Sequence, residues 1–424
     1  MTNYIILFLC LIVILAYFFD ITSRYSRIPS VILLMILGVI IRILVENTGL
    51  SIPDIKPILP VIGTLGLILI VLEASLDITL EKKKIRIISR SVLAAIILFF
   101  LFVAVLSAAM VLLGHNLYES LLNIIPLGII SSAVAISSAG SLDSDQKEFV
   151  VYESSISDII GILVFDFILL NHGSIGSGIV HFIFSGLLTL ILAIAVTSLL
   201  GMLLNKITYH VNYVIILTAV ILAYVLAKLS HLPALFLILV FGLALSNYRL
   251  VENSFVKRVV NFEKFRTDLD SFRKIMRELT FLVRSFFFIM FGYYTHVDAL
   301  LDPSNILLAL VITAVIFSFR WAYFVMILRM KVVPLALFAP RGLITILLFL
   351  SVPAASRISF INEEVVTLVI LLSIIVLIAG NMLYRKKLEI PLPTDPEAIH
   401  EEISGQMNFD DPFSSNSEDA VKNP

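Results

Sequence analysis

The chain has 424 residues, of which 59% are hydrophobic and 14% are charged, and its mean hydropathy is +1.05. Soluble domains are about 45–50% apolar and about 25% charged, so the composition excludes a soluble globular protein and predicts an all-α polytopic membrane protein. The net charge is −1 and the charges are segregated between apolar stretches, which excludes a basic patch for nucleic acid.

A membrane span needs about 20 mostly apolar residues, and the sequence divides into thirteen such stretches. They are 3–20, 29–46, 57–76, 87–113, 121–140, 148–170, 179–204, 211–228, 233–248, 280–297, 303–328, 332–352 and 363–384. The first stretch has neither a positive n-region nor a small-residue cleavage site, so we interpret it as a retained span. It holds Cys10, whose solitary state excludes an internal disulfide and a cysteine-based metal site.

Basic residues alternate between the two sides of these spans. The loops of one side carry 22 Lys and Arg residues, and the opposite loops carry only Lys56, Lys228 and Arg357. Because basic loops stay in the cytoplasm, the pattern predicts an outside N-terminus and a cytoplasmic C-terminus in a cell (inner) membrane.

Two spans contain helix-breaking residues. The fifth carries Pro126, Gly128 and the polar run 131–140, and the twelfth carries Pro334 and the sequence Pro-Arg-Gly at 340–342. Irregular backbone at membrane depth occurs where it is buried in protein or lines a watery cavity. Each broken span is the middle of a three-span group, 4–6 or 11–13, and the seven-span offset gives the two groups opposite orientations. This arrangement predicts inverted repeats with two broken, crossing helices.

The sixth span places two carboxylates, Glu153 and Asp158, inside an apolar stretch. A carboxylate at membrane depth costs about 2.5–3.5 kcal/mol and is by default a functional hypothesis. Asp158 lies roughly 15 Å from the start of the span, near the bilayer midplane. The two carboxylates point about 140° apart on a helix, so we expect them to have different partners and different roles.

Arg320, inside the eleventh span, needs a buried counter-charge. Glu153 is the natural partner, and we predict that the two form a structural ion pair beside the site. Arg42, Arg284 and Asp166 lie nearer the ends of their spans, where snorkelling to the interface explains them.

Two further segments are not spans. Residues 250–279 have an apolar stripe at helical spacing and a basic opposite face, which is typical of a cytoplasmic amphipathic helix that lies on the inner leaflet or of a connecting helix packed on the bundle. Residues 388–424 are acidic and rich in Pro and Ser, and we predict a disordered cytoplasmic tail.

These features resemble the cation–proton antiporters of the sodium/proton exchanger superfamily, most of all the NhaP-type branch. The family pattern Glu-Ser-x-x-Asn-Asp corresponds to 153–158, where Ser157 stands at the Asn position. Residues 72–76 resemble Phe-Glu-Ala-Gly-Leu, residues 131–135 lie where the family has Thr-Asp-Pro-Val-Ala, and residues 339–342 resemble Gly-Leu-Arg-Gly.

The resemblance implies an NhaA-like antiporter fold and a homodimer in the lipid bilayer, with no cofactor and no enzymatic activity. Interface helices would come from 1–86 and 171–302, and a moving core would come from 87–170 and 303–387.

The resemblance also assigns roles to residues. Asp158 would bind Na⁺ and a proton in turn. Ser154 and the backbone near Ser131 would help to coordinate the ion, next to Ser157 and Ser132. Glu73 would belong to a polar network on the cytoplasmic side, Glu153 and Arg320 would form the ion pair, and Arg341 would lie at the break of the twelfth helix.

Two departures from the family pattern affect the mechanism. Ser157 precedes Asp158 where the family has Asn or Asp, and Ser132 replaces a family aspartate. Asp158 is then the only titrating group that we place in the site, which predicts one-for-one, electroneutral exchange. Oxygen ligands with one carboxylate suit Na⁺ and Li⁺, and the missing second carboxylate leaves K⁺ as an alternative.

Three other functions compete with this interpretation. A sodium-coupled symporter of an organic anion could use Arg341 or Arg284 as its anchor. An intramembrane enzyme is disfavoured, because the sequence has no HExxH metal motif and no Gly-x-Ser-x-Gly elbow. A sensor built on an inactive transporter would need an output domain larger than the short tail.

Overall fold

The computed structural model describes residues 2–26, 29–48, 58–77, 85–170, 184, 186–196, 212–230, 232–247, 262–328 and 332–383. All regular elements in this part of the chain are helical. In chain order the α-helices are α1 Thr2–Ser26, α2 Ser30–Thr48, α3 Leu59–Asp77, α4 Ile85–Leu112, α5 Leu117–Gly128, α6 Ser132–Ser138, α7 Ser144–Leu170, α8 Gly186–Val196, α9 Asn212–Leu229, α10 Ala234–Ser246, α11 Phe262–Tyr294, α12 Val297–Leu300, α13 Pro303–Tyr323, α14 Val332–Leu335, α15 Leu343–Leu350 and α16 Glu363–Leu383. The predicted tail, 388–424, lies outside the described residues.

Six helical stretches are long and apolar enough to cross a bilayer. They are Ser30–Thr48, Leu59–Asp77, Ile85–Leu112, Leu117–Ser138, Pro303–Ile327 and Glu363–Leu383. Shorter apolar helices lie within the predicted first, seventh, eighth and ninth spans. The prediction of an all-α polytopic membrane protein is therefore confirmed.

Polar caps start two of these helices at points where the sequence leaves a loop. Asn116 precedes α5 and its side chain accepts a hydrogen bond from the Tyr118 amide at 3.2 Å. Asp302 precedes α13 and accepts hydrogen bonds from the Ser304 amide at 2.9 Å and the Ser304 hydroxyl at 2.8 Å. These bonds hold the pKa of the Asp302 carboxyl below its usual value, because they favour the charged form.

The segment predicted as a separate amphipathic helix is instead continuous with the tenth span. From Phe262 onward it forms the first half of α11, a single helix of 33 residues, and 250–261 lie outside the described residues. Its apolar stripe packs on the bundle, since Leu269, Phe272 and Met276 are buried. Arg277 also pairs with Asp77 at the end of α3, at 2.8 Å. The described part thus matches the connecting-helix alternative.

The helices pack in two sets. In the first, α11 lies against α2 and α3, and α10 lies against α3 and α9. Gly38 and Gly292 let α2 and α11 approach so closely that a Cβ at either position would collide with the partner backbone. In the second set, α4 lies against α5, α7 and α13, and α13 lies against α16. The second set contains both broken spans and the sixth span.

Both predicted breaks are present. The fifth span divides into α5 and α6, with extended backbone at Ile129 (φ −80°, ψ 130°) and Ser131 (φ −71°, ψ 112°). The twelfth divides into α14 and α15, with non-helical residues 336–342 between them. The breaks contact each other directly, because the Ser131 amide donates a hydrogen bond to the Pro340 carbonyl at 2.8 Å. The approach requires glycine at 342, where a Cβ would collide with the Ser131 side chain.

Candidate functional site

Asp158 lies on α7 where the helix passes the break of the fifth span. Its side chain is 3% exposed. Oδ2 accepts a hydrogen bond from the backbone amide of Ser132 at 3.2 Å, and Ser132 is the first residue of α6. Oδ1 is buried and has no hydrogen-bond partner among the described residues. A buried carboxylate with one unsatisfied oxygen is costly while it is charged, so this oxygen is the natural place for a positive ligand.

The serines near Asp158 divide into two kinds. Ser157 accepts a hydrogen bond at Oγ from the Ile130 amide at 3.0 Å, so it holds the extended backbone of the break in place. Ser154, one turn before Asp158, donates its hydroxyl to the Val150 carbonyl at 2.7 Å. Both serine side chains are buried. The hydroxyl of Ser154 keeps lone pairs that could accept a ligand.

Ser131 and Ser132 lie in the break itself. The Ser131 amide is bonded to Pro340 and its carbonyl accepts the amide of Ala135 at 2.9 Å. The Ser132 amide is the donor to Asp158. Both residues are almost fully buried. The structure therefore brings Asp158, Ser157, Ser131 and Ser132 together at the crossing of the two breaks.

Glu153 and Arg320 form a buried two-bond ion pair. Arg320 Nη1 lies 2.6 Å from Glu153 Oε1, and Nη2 lies 3.1 Å from Oε2. The guanidinium also donates to three carbonyls at and just beyond the C-terminal end of α14, those of Leu335 at 2.9 Å, Ala336 at 3.2 Å and Phe338 at 3.1 Å. Because a broken helix leaves carbonyls without partners, Arg320 stabilises the second break while it neutralises Glu153.

Arg341 stabilises the first break in a similar way, by donating hydrogen bonds to backbone carbonyls. It is 3% exposed, and its Nε donates to the Leu127 carbonyl near the C-terminal end of α5 at 2.7 Å. Nη1 donates to Ala339 at 3.2 Å, and the Arg341 backbone amide donates to Ser373 on α16 at 2.9 Å. A cation is favourable near the C-terminal end of a helix, where the carbonyl dipoles point.

A small cavity lies next to these groups, between α4, α5, α7 and α13. Its polar lining comes from Ser157, Arg320 and Arg341, and its apolar wall includes Phe99 and Phe319. The cavity therefore adjoins the residue before Asp158 and both arginines.

Glu73 lies in a different part of the molecule. It is half-buried on α3 and interacts electrostatically with Arg284, Asp77 and Arg277. None of these contacts links it to Asp158, so the structure places Glu73 in a charged cluster of the first packing set. Arg284, which the sequence explains by snorkelling, belongs to this cluster.

Sequence reasoning missed three features in and near the site. The Ser373 hydroxyl, on α16, accepts a hydrogen bond from the Arg341 amide in the second break. The carbonyls of Leu127 and Pro340 each accept a hydrogen bond from a residue of the other broken span. Asp166, interpreted as a snorkelling residue, accepts a hydrogen bond from the Leu235 amide. Only Asp166 had a sequence signal, because its spacing of eight residues from Asp158 places both on one helix face.

Solved structures share this fold, among them two of one antiporter. The structure of the sodium proton antiporter MjNhaP1 from Methanocaldococcus jannaschii at pH 8 matches with a TM-score of 0.66 and 18% identity, over 89% of this chain and 97% of that chain. A 3D EM map of the same antiporter matches with a TM-score of 0.62 and 18% identity, over 90% and 95%. The antiporter fold that the family resemblance implies is thereby confirmed.

Sequence comparison gives the family. No curated protein matches the chain by sequence. The sequence model of the transmembrane sodium/hydrogen exchanger family matches residues 8–384. Because this match spans most of the 424 residues, the chain belongs to the sodium/hydrogen exchanger family.

Proposed function

We propose that the protein is a secondary active antiporter that exchanges Na⁺ for H⁺ at Asp158 by alternating access. The observation that carries this proposal is the state of the Asp158 carboxylate. It is buried at the crossing of two broken helices, with Oδ2 bonded to the Ser132 amide and Oδ1 without a partner in the part of the chain that the structure describes.

One carboxylate can hold a proton or a cation, and each excludes the other. A proton on Oδ1 makes the group neutral, and a monovalent cation bound there compensates its charge. Either form can be buried at modest cost, whereas the bare anion is costly to move through a low-dielectric region. Movement of the loaded site in both directions then couples one cation to one proton.

The stoichiometry follows from which carboxylates are free. Glu153 is occupied by Arg320, at 2.6 Å and 3.1 Å, and Ser132 supplies no second carboxylate. Among the described residues of the site, Asp158 is then the one carboxylate left for a proton or a cation, and the exchange is one-for-one and electroneutral. We expect a transport rate that does not change with membrane potential, and a potential-dependent rate would contradict the stoichiometry.

The ligands favour a small hard cation. The carboxylate of Asp158, the hydroxyl of Ser154 and the backbone oxygens near Ser131 are the oxygen donors that such ions take. Na⁺ is the proposed substrate and Li⁺ is expected to replace it. K⁺ is the alternative, since a site with a single carboxylate attracts a small ion less strongly.

The remaining parts of the proposal concern context. We propose a homodimer in the cell membrane, with the N-terminus outside and the C-terminus in the cytoplasm, that serves pH homeostasis. The excess of Lys and Arg in one set of loops supports the orientation. The packing sets described above support interface helices and a moving core.

The organic-anion symporter is less well supported. Its anchor would be Arg341 or Arg284. The Arg341 guanidinium already donates to the carbonyls of Leu127 and Ala339, and Arg284 interacts with the Glu73 carboxylate. Dependence of Na⁺ uptake on an added organic acid would identify this alternative.

The test is proton movement in proteoliposomes that contain the purified protein. A preset pH gradient is challenged with Na⁺, Li⁺ or K⁺, and we expect Na⁺ to relax it and Asp158→Asn to abolish the response. The matched control is Asp145→Asn, the same substitution at an exposed position of α7, which should retain exchange. Folded wild-type protein that responds to none of the three cations would overturn the proposal.

A further inference from the structure

A second carboxylate, Asp166, lies on the same face of α7 as Asp158. The two residues are eight positions apart, so they are separated by about two helical turns and about 12 Å. Ile162 lies midway between them and is 3% exposed. Asp166 is nearer the C-terminal end of α7, which the loop charges predict to be the outer end. The exchange proposed at Asp158 does not use it.

The contacts of Asp166 cross from one packing set to the other. Its carboxylate accepts a hydrogen bond from the backbone amide of Leu235, in the first turn of α10, and is within electrostatic range of Lys228 in the last turn of α9. Lys228 Nζ lies 5.8 Å from the centre of the Tyr224 ring, and Tyr224 in turn interacts with Asp166. We name Asp166, Lys228 and the Leu235 amide the outer latch.

An apolar plug separates the outer latch from Asp158. A narrow pocket between α3, α7 and α10 is lined only by aliphatic and aromatic side chains. These are Val71, Ile159, Ile162, Leu163, Leu235, Phe236 and Leu239. Leu235 thus contributes its amide to the latch and its side chain to the plug. The latch residue Asp166 and the plug residues Ile159, Ile162 and Leu163 all lie on α7 between Asp158 and the C-terminal end of that helix.

We propose that the outer latch is a gate that holds the transporter closed toward the outside, and that it must open for Asp158 to exchange ions with the outer solution. The inference rests on the proposed function, because a gate has meaning only if Asp158 must face both sides. A charged pair and a hydrogen bond to a charged group lie across the boundary that alternating access requires to move. Removing them should favour the outward-open state.

Accessibility of the plug from outside tests the gate. In a Cys10→Ser background, Ile162→Cys supplies a single thiol within the plug, and a membrane-impermeant maleimide is applied to whole cells. We expect Asp166→Asn to raise the labelling rate roughly tenfold, because the asparagine oxygen still accepts the Leu235 amide but the bond no longer goes to a charged group and the attraction to Lys228 is lost. Lys228→Met should raise it in the same direction, and the double variant should add little to the larger single effect.

Three controls make the result interpretable. Asp302→Asn is the same chemical change at an exposed helix cap and should leave the labelling rate unchanged. His115→Cys and Asp145→Cys, on the loops predicted as outer and inner, report which face the reagent reaches. Monodisperse elution of each variant shows that it is folded, and the Lys228 variant carries the test if Asp166→Asn misfolds.

The outcomes separate the gate from the antiporter. An unchanged or slower labelling rate in folded Asp166→Asn and Lys228→Met overturns the gate, even if Asp158→Asn abolishes exchange. Faster labelling supports the gate as a conformational element even if no cation drives proton movement in proteoliposomes. Additive effects of the two substitutions would also contradict it, since partners in one latch share a single interaction.

Discussion

Two carboxylates five residues apart on α7 have opposite environments. Both are buried in the same helix, but Glu153 has both oxygens bonded to Arg320. Of the two Asp158 oxygens, one is bonded and the other has no partner among the residues that the structure describes. Burial by itself therefore does not mark a transport site. The number of donors that reach each carboxylate decides whether it holds the fold together or stays available for an ion.

The largest expected effect comes from removing the partner of Glu153, the carboxylate whose two oxygens are both bonded. Arg320→Met leaves Glu153 charged and buried and frees the carbonyls of Leu335 and Phe338, which should lower the free energy of unfolding by about 3–5 kcal/mol. Thermal unfolding in detergent measures it, with exposed Arg90→Met as the control. The double variant with Glu153→Gln should recover part of the loss, and no recovery would mean that the carbonyl bonds dominate.

A smaller loss is expected where the two breaks cross. Gly342→Ala places a methyl group against the Ser131 side chain, and such overpacking costs about 1–3 kcal/mol. Because the same contact positions the backbone that donates to Asp158, the apparent KM for Na⁺ should also rise in proton-movement assays. Gly140→Ala, which meets no atom within 4 Å, should change neither quantity. A stable Gly342→Ala variant with unchanged KM would separate the crossing from the ion site.

Removing the neighbour of Asp158 should cost less again. Ser157→Ala deletes the acceptor of the Ile130 amide, a loss of roughly 1 kcal/mol if water replaces the hydroxyl. Exchange should weaken but persist, because Asp158 itself is intact. The control is Ser137→Ala, an exposed serine whose hydroxyl bonds only to its own helix. Complete loss of exchange would show that Ser157 is itself a ligand.

The smallest effect on stability is expected from Asp158→Asn. The asparagine oxygen can still accept the Ser132 amide, and no charge remains to be compensated, so the free energy of unfolding should change by less than about 1 kcal/mol. The same variant should lose exchange completely. Thermal unfolding in detergent measures the change in stability, with Asp145→Asn as the control. A strong destabilisation by Asp158→Asn would mean that Asp158, like Glu153, is a structural residue.

Much of this architecture is visible in the sequence. The apolar stretches give the spans, Pro126 and the Pro-Arg-Gly sequence at 340–342 give the breaks, and an intramembrane Arg320 requires a partner such as Glu153. These signals are strong because membrane burial penalises unpaired charge and unsatisfied backbone.

The contacts that complete the site are not visible in the sequence. The Arg341 side chain donates to the Leu127 carbonyl, and the Ser373 hydroxyl accepts a hydrogen bond from the Arg341 backbone amide. Every residue has a backbone carbonyl, and almost every residue has an amide, so the sequence does not indicate which of them takes part. Glu73 carries a family-like motif, yet its contacts lie with Arg284 and Arg277, because helix packing rather than motif decides which charges meet. The unbroken α11 shows the same limit, since amphipathicity does not reveal where one helix ends.

The bonds across the two breaks impose an order of assembly. The Leu127 carbonyl accepts a hydrogen bond from Arg341, which lies 214 positions later in the chain. The Glu153 carboxylate pairs with Arg320, which lies 167 positions later. While the ribosome is still producing the intervening spans, the first repeat is already in the bilayer with an uncompensated carboxylate and open carbonyls. The first repeat therefore cannot mature by itself, and the ion site is completed only when the last three spans have been inserted.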